Sequence, residues 1–251
     1  MRVAMVTAGV LVLATAAGCS GSGDSAGESA SPSAVPSESV SASPVETGEP
    51  VGKANGVEEL GPKKILAQAR AAALAAKSVN MVGTSPAASL NLVVTKDSSD
   101  GKRTAGETSL KTRVVDGVIY VKGDQAYWTQ AFNKKKAKKI GNKWVAGELS
   151  NPKLKSFKQT STMKPLMDQF LVLSGKGEVG EVGVVQGQPA VPITSASGTT
   201  WVATTGKPYV LMITSSPDTG EDATVDFKNW NKKVVIKAPP KKQTISLADL
   251  A

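Results

Sequence analysis

A two-residue hydrophobic period, repeated in short runs, constrains this chain more than any other feature. Ser89-Leu90-Asn91-Leu92-Val93-Val94-Thr95 alternates, with Leu90, Leu92 and Val94 on one face. That is the pattern of a half-buried strand. Residues 117–122 and 125–129 read as further short strands. After residue 175 the pattern returns in runs at 178–186, 191–195, 199–204, 208–215, 223–228 and 233–237, with Gly, Pro or Asn between them. Such regular spacing marks an extended set of strands. Asp100-Gly101 and Asp116-Gly117 carry hairpin chemistry between alternating runs. Strands joined by tight turns are antiparallel, because parallel neighbours need long crossovers. The expectation is a large antiparallel meander.

Helical segments come from two other places. Gly61-Pro62 opens the first, and Ile65, Leu66, Ala69, Ala72, Ala73 and Ala76 recur at spacings of three, four and seven over residues 63–77. This stripe is mostly Ala, a strong helix former small enough to let a helix lie close to a sheet. Residues 161–173 read as the second, with Pro165 at the first helical position and Leu166, Met167, Phe170, Leu171 and Leu173 in one broad stripe. Residues 152–159 suit a helical turn. A long sheet with helices from two places predicts an α+β fold, with the helices packed on one face of a curved antiparallel sheet.

The N-terminus is built differently. Residues 3–17 are uncharged and rich in Val, Ala and Leu, and they end in Ala16-Ala17-Gly18 before Cys19, the only cysteine. The apolar run suits a signal peptide and falls short of the roughly 20 residues of a spanning helix. Small residues before a lone cysteine point to a lipoprotein signal, cleaved to leave a diacylglyceryl group on Cys19. Two acyl chains are what stable anchoring takes. Of the next 33 residues, 23 are Ser, Gly, Pro or Ala, so they cannot bury enough apolar surface to fold. A flexible coil of that length spans about 30–35 Å. The expected organisation is a signal peptide over 1–18, a lipidated Cys19 with an acidic tether over 19–52, and one domain over 53–251. The domain carries 29 basic and 16 acidic residues, a formal charge of +13. Outside a cell such charge faces anionic headgroups and wall polymers, and an exported protein has no nucleic acid as its default partner.

The order of these pieces resembles the actinobacterial LppX/LprG lipoproteins. The residues that carry the resemblance begin with the helix over 65–76 and Ser78-Val79-Asn80-Met81-Val82-Gly83-Thr84. Residues 115–123, Tyr127-Trp128 and 201–209 follow, and then residues 227–240 with their closing Ala-Pro-Pro. It covers about residues 61–240, behind the lipoprotein signal. The resemblance implies a LolA-like half-barrel: a strongly curved antiparallel sheet around helices, enclosing an apolar cavity for acyl chains. It implies binding of a lipid or lipoglycan for transport or presentation, and no catalytic motif. A transporter in the membrane is a candidate further partner. The lysine-rich segment 133–143 departs from the family pattern.

The residue inventory agrees with a non-enzyme. There is no histidine, so Ser-His-Asp and Cys-His arrangements and histidine-held metals are excluded. No phosphate-binding glycine loop is present. No cofactor and no metal are expected. Asp97, Asp100 and Gly101 give a faint calcium-loop pattern that a turn explains as well.

A cavity for acyl chains needs an aliphatic, adaptable lining. The candidates are Leu90, Leu92 and Val94 on one strand, Leu211 and Ile213 on a later one, and Leu166, Met167 and Phe170 on the second helix. The same residues would serve an ordinary core. All eleven aromatics fall between Tyr120 and Trp230, which leaves bulky filler scarce around the first helix. Lys134, Lys135, Lys136, Lys138 and Lys139 are candidates for docking to a membrane or other polyanion, and equally a solvated surface. The alternative to a lipid carrier is a non-catalytic module that holds anionic wall polymer or a partner protein. The chain is expected to be monomeric and to sit on the extracytoplasmic face of the membrane. Replacing Cys19 by Ser is expected to abolish labelling with radioactive palmitate and move the protein from the membrane pellet to the soluble fraction; unchanged labelling would refute the anchor.

Overall fold

Thirteen strands hydrogen-bond into one open sheet in this computed structural model, which describes residues 52–216 and 222–250. Cys19 and residues 20–51 of the expected tether lie outside the described residues. In chain order the strands are β1 (Ser78–Ser85), β2 (Ala88–Thr95), β3 (Ser99–Ala105), β4 (Thr108–Val115), β5 (Val118–Gly123), β6 (Trp144–Glu148) and β7 (Glu178–Val179). They continue as β8 (Gly183–Val185), β9 (Gln188–Ser195), β10 (Gly198–Ala203), β11 (Val210–Ser215), β12 (Thr224–Lys228) and β13 (Thr244–Ser246). Across the sheet the order is β13-β6-β5-β4-β3-β2-β1-β12-β11-β10-β9-β7, with β8 paired to β9. Every pairing is antiparallel except β13 with β6. The strands β1 to β5 and β9 to β12 each form a meander, and β1 closes onto β12 to join them.

Four helices cover one face: α1 (Pro62–Ala75), α2 (Gln125–Ala131), α3 (Lys134–Ile140) and α4 (Met163–Phe170). The register shows that they share a face. Val79 pairs with Val94 and Met81 with Leu92, then Leu92 with Gly101, Gly101 with Thr112, Thr112 with Val121 and Val121 with Val145. In the other direction Met81 pairs with Phe227 and Val225 with Ile213. Directly paired residues point the same way, so one row runs across the sheet.

That row supports two cores. The first gathers Ile65, Leu66, Ala69 and Ala73 of α1 and Met163, Leu166 and Met167 of α4 over Val79, Met81, Leu92, Val94, Val191, Ile193, Val202, Val210 and Phe227. Strands β2 and β9 are five spacings apart, about 24 Å on a flat sheet. Both nevertheless reach this one cluster, so the sheet bends around α1 and α4. The second core gathers Trp128, Ala137 and Ile140 from α2 and α3 over Val114, Ile119, Val121 and Val145. Between them lies β3, whose inward positions are Ser99, Gly101, Arg103 and Ala105. A Cβ on Gly101 would stand 2.7 Å from Leu92 Cδ1 and 3.0 Å from the Asn91 carbonyl oxygen. Leu92 therefore lies across the seam, and only glycine leaves it room.

Several elements depart from the expectations. Residues 125–129 are the start of α2 rather than a strand. Asp124 caps that helix, its carboxylate accepting from Tyr127 N at 2.8 Å, and an N-cap outweighs a short aromatic-rich alternation. Asp100-Gly101 is not a turn but the start of β3, and the hairpin bends at residues 96–98, where Thr95 Oγ1 accepts from Ser98 N at 3.0 Å. Asp116 and Gly117 do form the expected hairpin, both with positive φ (52° and 77°), as a type I′ turn requires. The run at 178–186 splits into β7 and β8. Residues 233–237 are no strand. They belong to a strap that carries the chain from β12, in the middle of the sheet, to β13 at one edge, held where Arg113 Nη1 donates to the Lys237 carbonyl at 2.9 Å and Ser78 Oγ to the Lys232 carbonyl at 2.5 Å. Pro165 sits third in α4, inside the first turn, where its missing N–H leaves no helical bond unmade.

At the surface, α1 and α4 are clamped. Arg70 Nε donates to Asp168 Oδ1 at 2.9 Å, and Lys164 Nζ to Asp168 Oδ2 at 2.6 Å. The hydrogen bonds from Lys164 and Arg70 hold the Asp168 carboxyl below its usual range. A carboxyl lowered on folding adds stability above its unfolded pKa and loses it as pH falls through the folded value. The stability difference between the native chain and Asp168→Asn should therefore be largest near neutrality and vanish in acid, measured by urea unfolding across pH; a constant difference would show that the clamp is not ionic. Gly101→Val should lower stability by about 1–3 kcal/mol through overpacking against Leu92, and an unchanged urea midpoint would show that the seam has slack.

Candidate functional site

The second core is not filled. A cavity of about 370 Å³ lies between α2, the inward face of β5 and β6, and the 3₁₀ segment Pro152–Thr160. Its floor is Val121 and Val145, paired across the two strands. Tyr127, Trp128, Ala131 and Phe132 form one wall, Leu154 and Phe157 the opposite one, and Leu247 after β13 closes the end. Val121, Val145, Trp128, Leu154 and Leu247 are buried, whereas Tyr127, Phe132 and Phe157 are half-buried and Ala131 is exposed. The mouth is therefore at the C-terminal end of α2.

Local sequence explains this wall. Asp124 starts α2 directly after β5, and its second oxygen accepts from Ser109 N at 2.6 Å, tying the helix to β4. Gly123, the last residue of β5, has no Cβ where one would lie 2.9 Å from Tyr127 Cγ. The Tyr127 ring can thus lie on the strand end. It meets Trp128 edge-on at 4.9 Å, and Trp128 stacks on Phe132 at 5.9 Å. Burial pushes the Tyr127 hydroxyl up from its ordinary pKa, so it stays neutral. The cavity holds no converging set of charged groups. Among the described residues no cluster of three or more His, Cys, Asp and Glu side chains is placed to hold a metal.

The residues nominated from sequence fall elsewhere. Leu92, Val94, Leu166 and Met167 are buried in the first core, with Leu90, Phe170 and Ile213 packed against it. Seven of the eight are thus brought together, around α4. Leu211 is not: a bulge between Trp201 and Val202 turns it to the outer face, where it packs with Val185, Ala190 and Ala203. None of the eight lines the α2 cavity. A shallower hollow of about 520 Å³ touches the first core at the start of α1, between residues 61–64 and 173–177, rimmed by Lys63, Lys64 and Lys176. The α2 cavity is more enclosed and more aromatic.

The lysine-rich segment lies beside the mouth. It forms α3, capped by Asn133, whose side chain accepts from Lys136 N at 2.9 Å. Ala137 and Ile140 are buried, while Lys134, Lys135, Lys138 and Lys139 are exposed. Lys136 lies over the Phe132 ring, 5.9 Å from its centroid. The lysines thus take the solvent side of a helix whose other side closes the second core.

No protein-family model matches this chain, and none of the curated proteins does. Two solved structures similar to it are those of LprF from Mycobacterium bovis and the lipoprotein LppX from Mycobacterium tuberculosis. LprF is 14% identical, with 71% of this chain and 96% of LprF covered at a TM-score of 0.47. LppX is 14% identical, with 70% and 98% covered at the same TM-score. No helix among the described residues is long and apolar enough to cross a membrane.

Proposed function

We propose that this chain is a membrane-anchored, non-catalytic lipoprotein that holds an acyl chain of a lipid or lipoglycan in the α2 cavity and carries or presents it unchanged. The observation that carries the reading is the cavity itself: about 370 Å³, walled by four aromatic and several aliphatic side chains, with its mouth at an exposed helix end. Its size lies at the lower end of the ~300–1,000 Å³ typical of ligand pockets, which suits one chain rather than a whole multi-acylated lipid. Each methylene moved from water to such a lining gains about 0.8 kcal/mol. No polar groups converge there to break or make a bond.

A second reading places the chain between α4 and the sheet, among Leu92, Val94, Leu166, Met167 and Phe170. It is opposed by the Arg70–Asp168 ion pair, because α4 must part from α1 to admit anything there. Its methionines, Met163 and Met167, would adapt to a flexible guest.

Val145→Phe separates the readings. In a void the added ring costs little, whereas in a packed core it costs about 1–3 kcal/mol. The variant is expected to unfold at or above the native urea midpoint and to lose uptake of a fluorescent fatty acid. Ala131→Trp, at the exposed mouth, should slow uptake without changing stability. Undiminished uptake by Val145→Phe would move the ligand to the first core. Failure of the native chain to take up the fatty acid at all would refute both readings.

A further inference from the structure

We infer that the lysine face of α3 seats the domain on an anionic phospholipid bilayer, with the cavity mouth turned toward the membrane. The inference rests on the cavity reading for its purpose, but its geometry is independent of it.

Three observations support it. The first is that α3 carries like charge that no acidic side chain of its own offsets. It has five lysines in seven residues and no acidic residue. Lys134 and Lys138, and Lys135 and Lys139, are like charges one turn apart, which destabilise a helix. Lys134, Lys135 and Lys136 also stand in the first turn, where the helix dipole disfavours cations. Among the described residues none of these lysines has a carboxylate partner. Lys139 Nζ instead donates to the Asp249 backbone carbonyl at 2.8 Å. A surface polyanion relieves this repulsion.

The second observation is position. Ala131 and Phe132 at the mouth are followed at once by Asn133 and α3. Across the mouth, the segment carrying Leu154 and Phe157 also presents exposed Lys155 and Lys158. The opening is therefore flanked by lysines on two elements.

The third observation selects the partner. A free polyanion needs only charge. Here half-buried Phe132 and Phe157 stand on the same two elements as, or directly beside, these exposed lysines, and lysines beside aromatic side chains match a headgroup layer over an apolar interior. An acyl chain could then pass from bilayer to cavity without crossing open water.

The test uses the chain from residue 19 onward carrying Cys19→Ser, so that sedimentation reports the protein surface and not the acyl anchor. It should co-sediment with mixed phosphatidylglycerol–phosphatidylcholine vesicles and not with phosphatidylcholine alone. Binding should disappear near 1 M salt, where the Debye length falls to about 3 Å. Changing Lys134, Lys135, Lys138 and Lys139 together to Gln should weaken it by about fivefold per lysine, a hundredfold or more in all. The same change at Lys63, Lys64, Lys176 and Lys207 should weaken it less than tenfold, since those lysines lie on other elements. Removing like charges should leave the α3 variant melting no lower than the parent, so a loss of binding is not a loss of fold. Phe132→Ala should reduce vesicle binding and leave any binding to soluble polyphosphate unchanged. Equal losses from the two lysine sets, or binding to polyphosphate without binding to vesicles, would overturn the proposal. Fatty-acid uptake measured without vesicles on the α3 variant keeps the two readings apart: intact uptake with no vesicle binding by the parent refutes docking alone, and vesicle binding without uptake refutes the cavity alone.

Discussion

A sheet of thirteen strands exposes an apolar face too broad for any single helix of this chain to cover. The chain meets that constraint by leaving one strand without apolar bulk. The inward positions of β3 are Ser99, Gly101, Arg103 and Ala105, and Leu92 folds across Gly101 from the neighbouring strand. Hydrophobic contact lapses along that line. One continuous hydrogen-bonded sheet therefore carries two separate cores, each with its own pair of helices. The sheet transmits register from one core to the other, but packing in one does not dictate packing in the other.

The two cores differ in how well they close. The first has α1, the longest helix of the described residues, with alanines that let it approach the sheet, and α4 clamped to it through Asp168. Ile65, Ala69, Val79, Leu166, Met167 and Phe227 have no exposed surface at all. The second is closed by two helices of seven residues each. Helices so short are marginal alone, and these depend on the caps from Asp124 and Asn133 and on the aromatic cluster of Tyr127, Trp128 and Phe132. Elements of low local stability are the ones that open. The void and the short helices thus belong to the same half of the molecule.

Much of this was legible in the sequence, and the misreadings have a common cause. Alternation at 89–95 and 191–195 was legible because one face there is buried and the other solvated. The Ala stripe of α1 was legible because its period is helical over four turns. The cavity was not, because its wall is α2, and 125–129 alternates as a strand does over so short a stretch. Asp124, three residues before the N–H it accepts from, was the signal for a helix; Tyr127, Trp128, Ala131 and Phe132 then fall on one side of it. Asp100-Gly101 misled for a different reason. An aspartate before a glycine signals a turn locally, but here the missing Cβ serves a neighbouring strand, which no local pattern reveals. Leu211 was placed by strict alternation, but it is itself the extra, unpaired residue of a bulge opposite the Trp201–Val202 step, which reversed its face.

The central claim is that the half of the sheet beyond β3 is hollow in order to hold an apolar chain. Soaking or co-crystallising the protein with a terminally brominated fatty acid, and locating bromine from its anomalous signal, tests this directly. The account predicts a peak between Trp128, Val121 and Phe157. A peak between α4 and the sheet, or ordered protein with the cavity empty at saturating ligand, would contradict it.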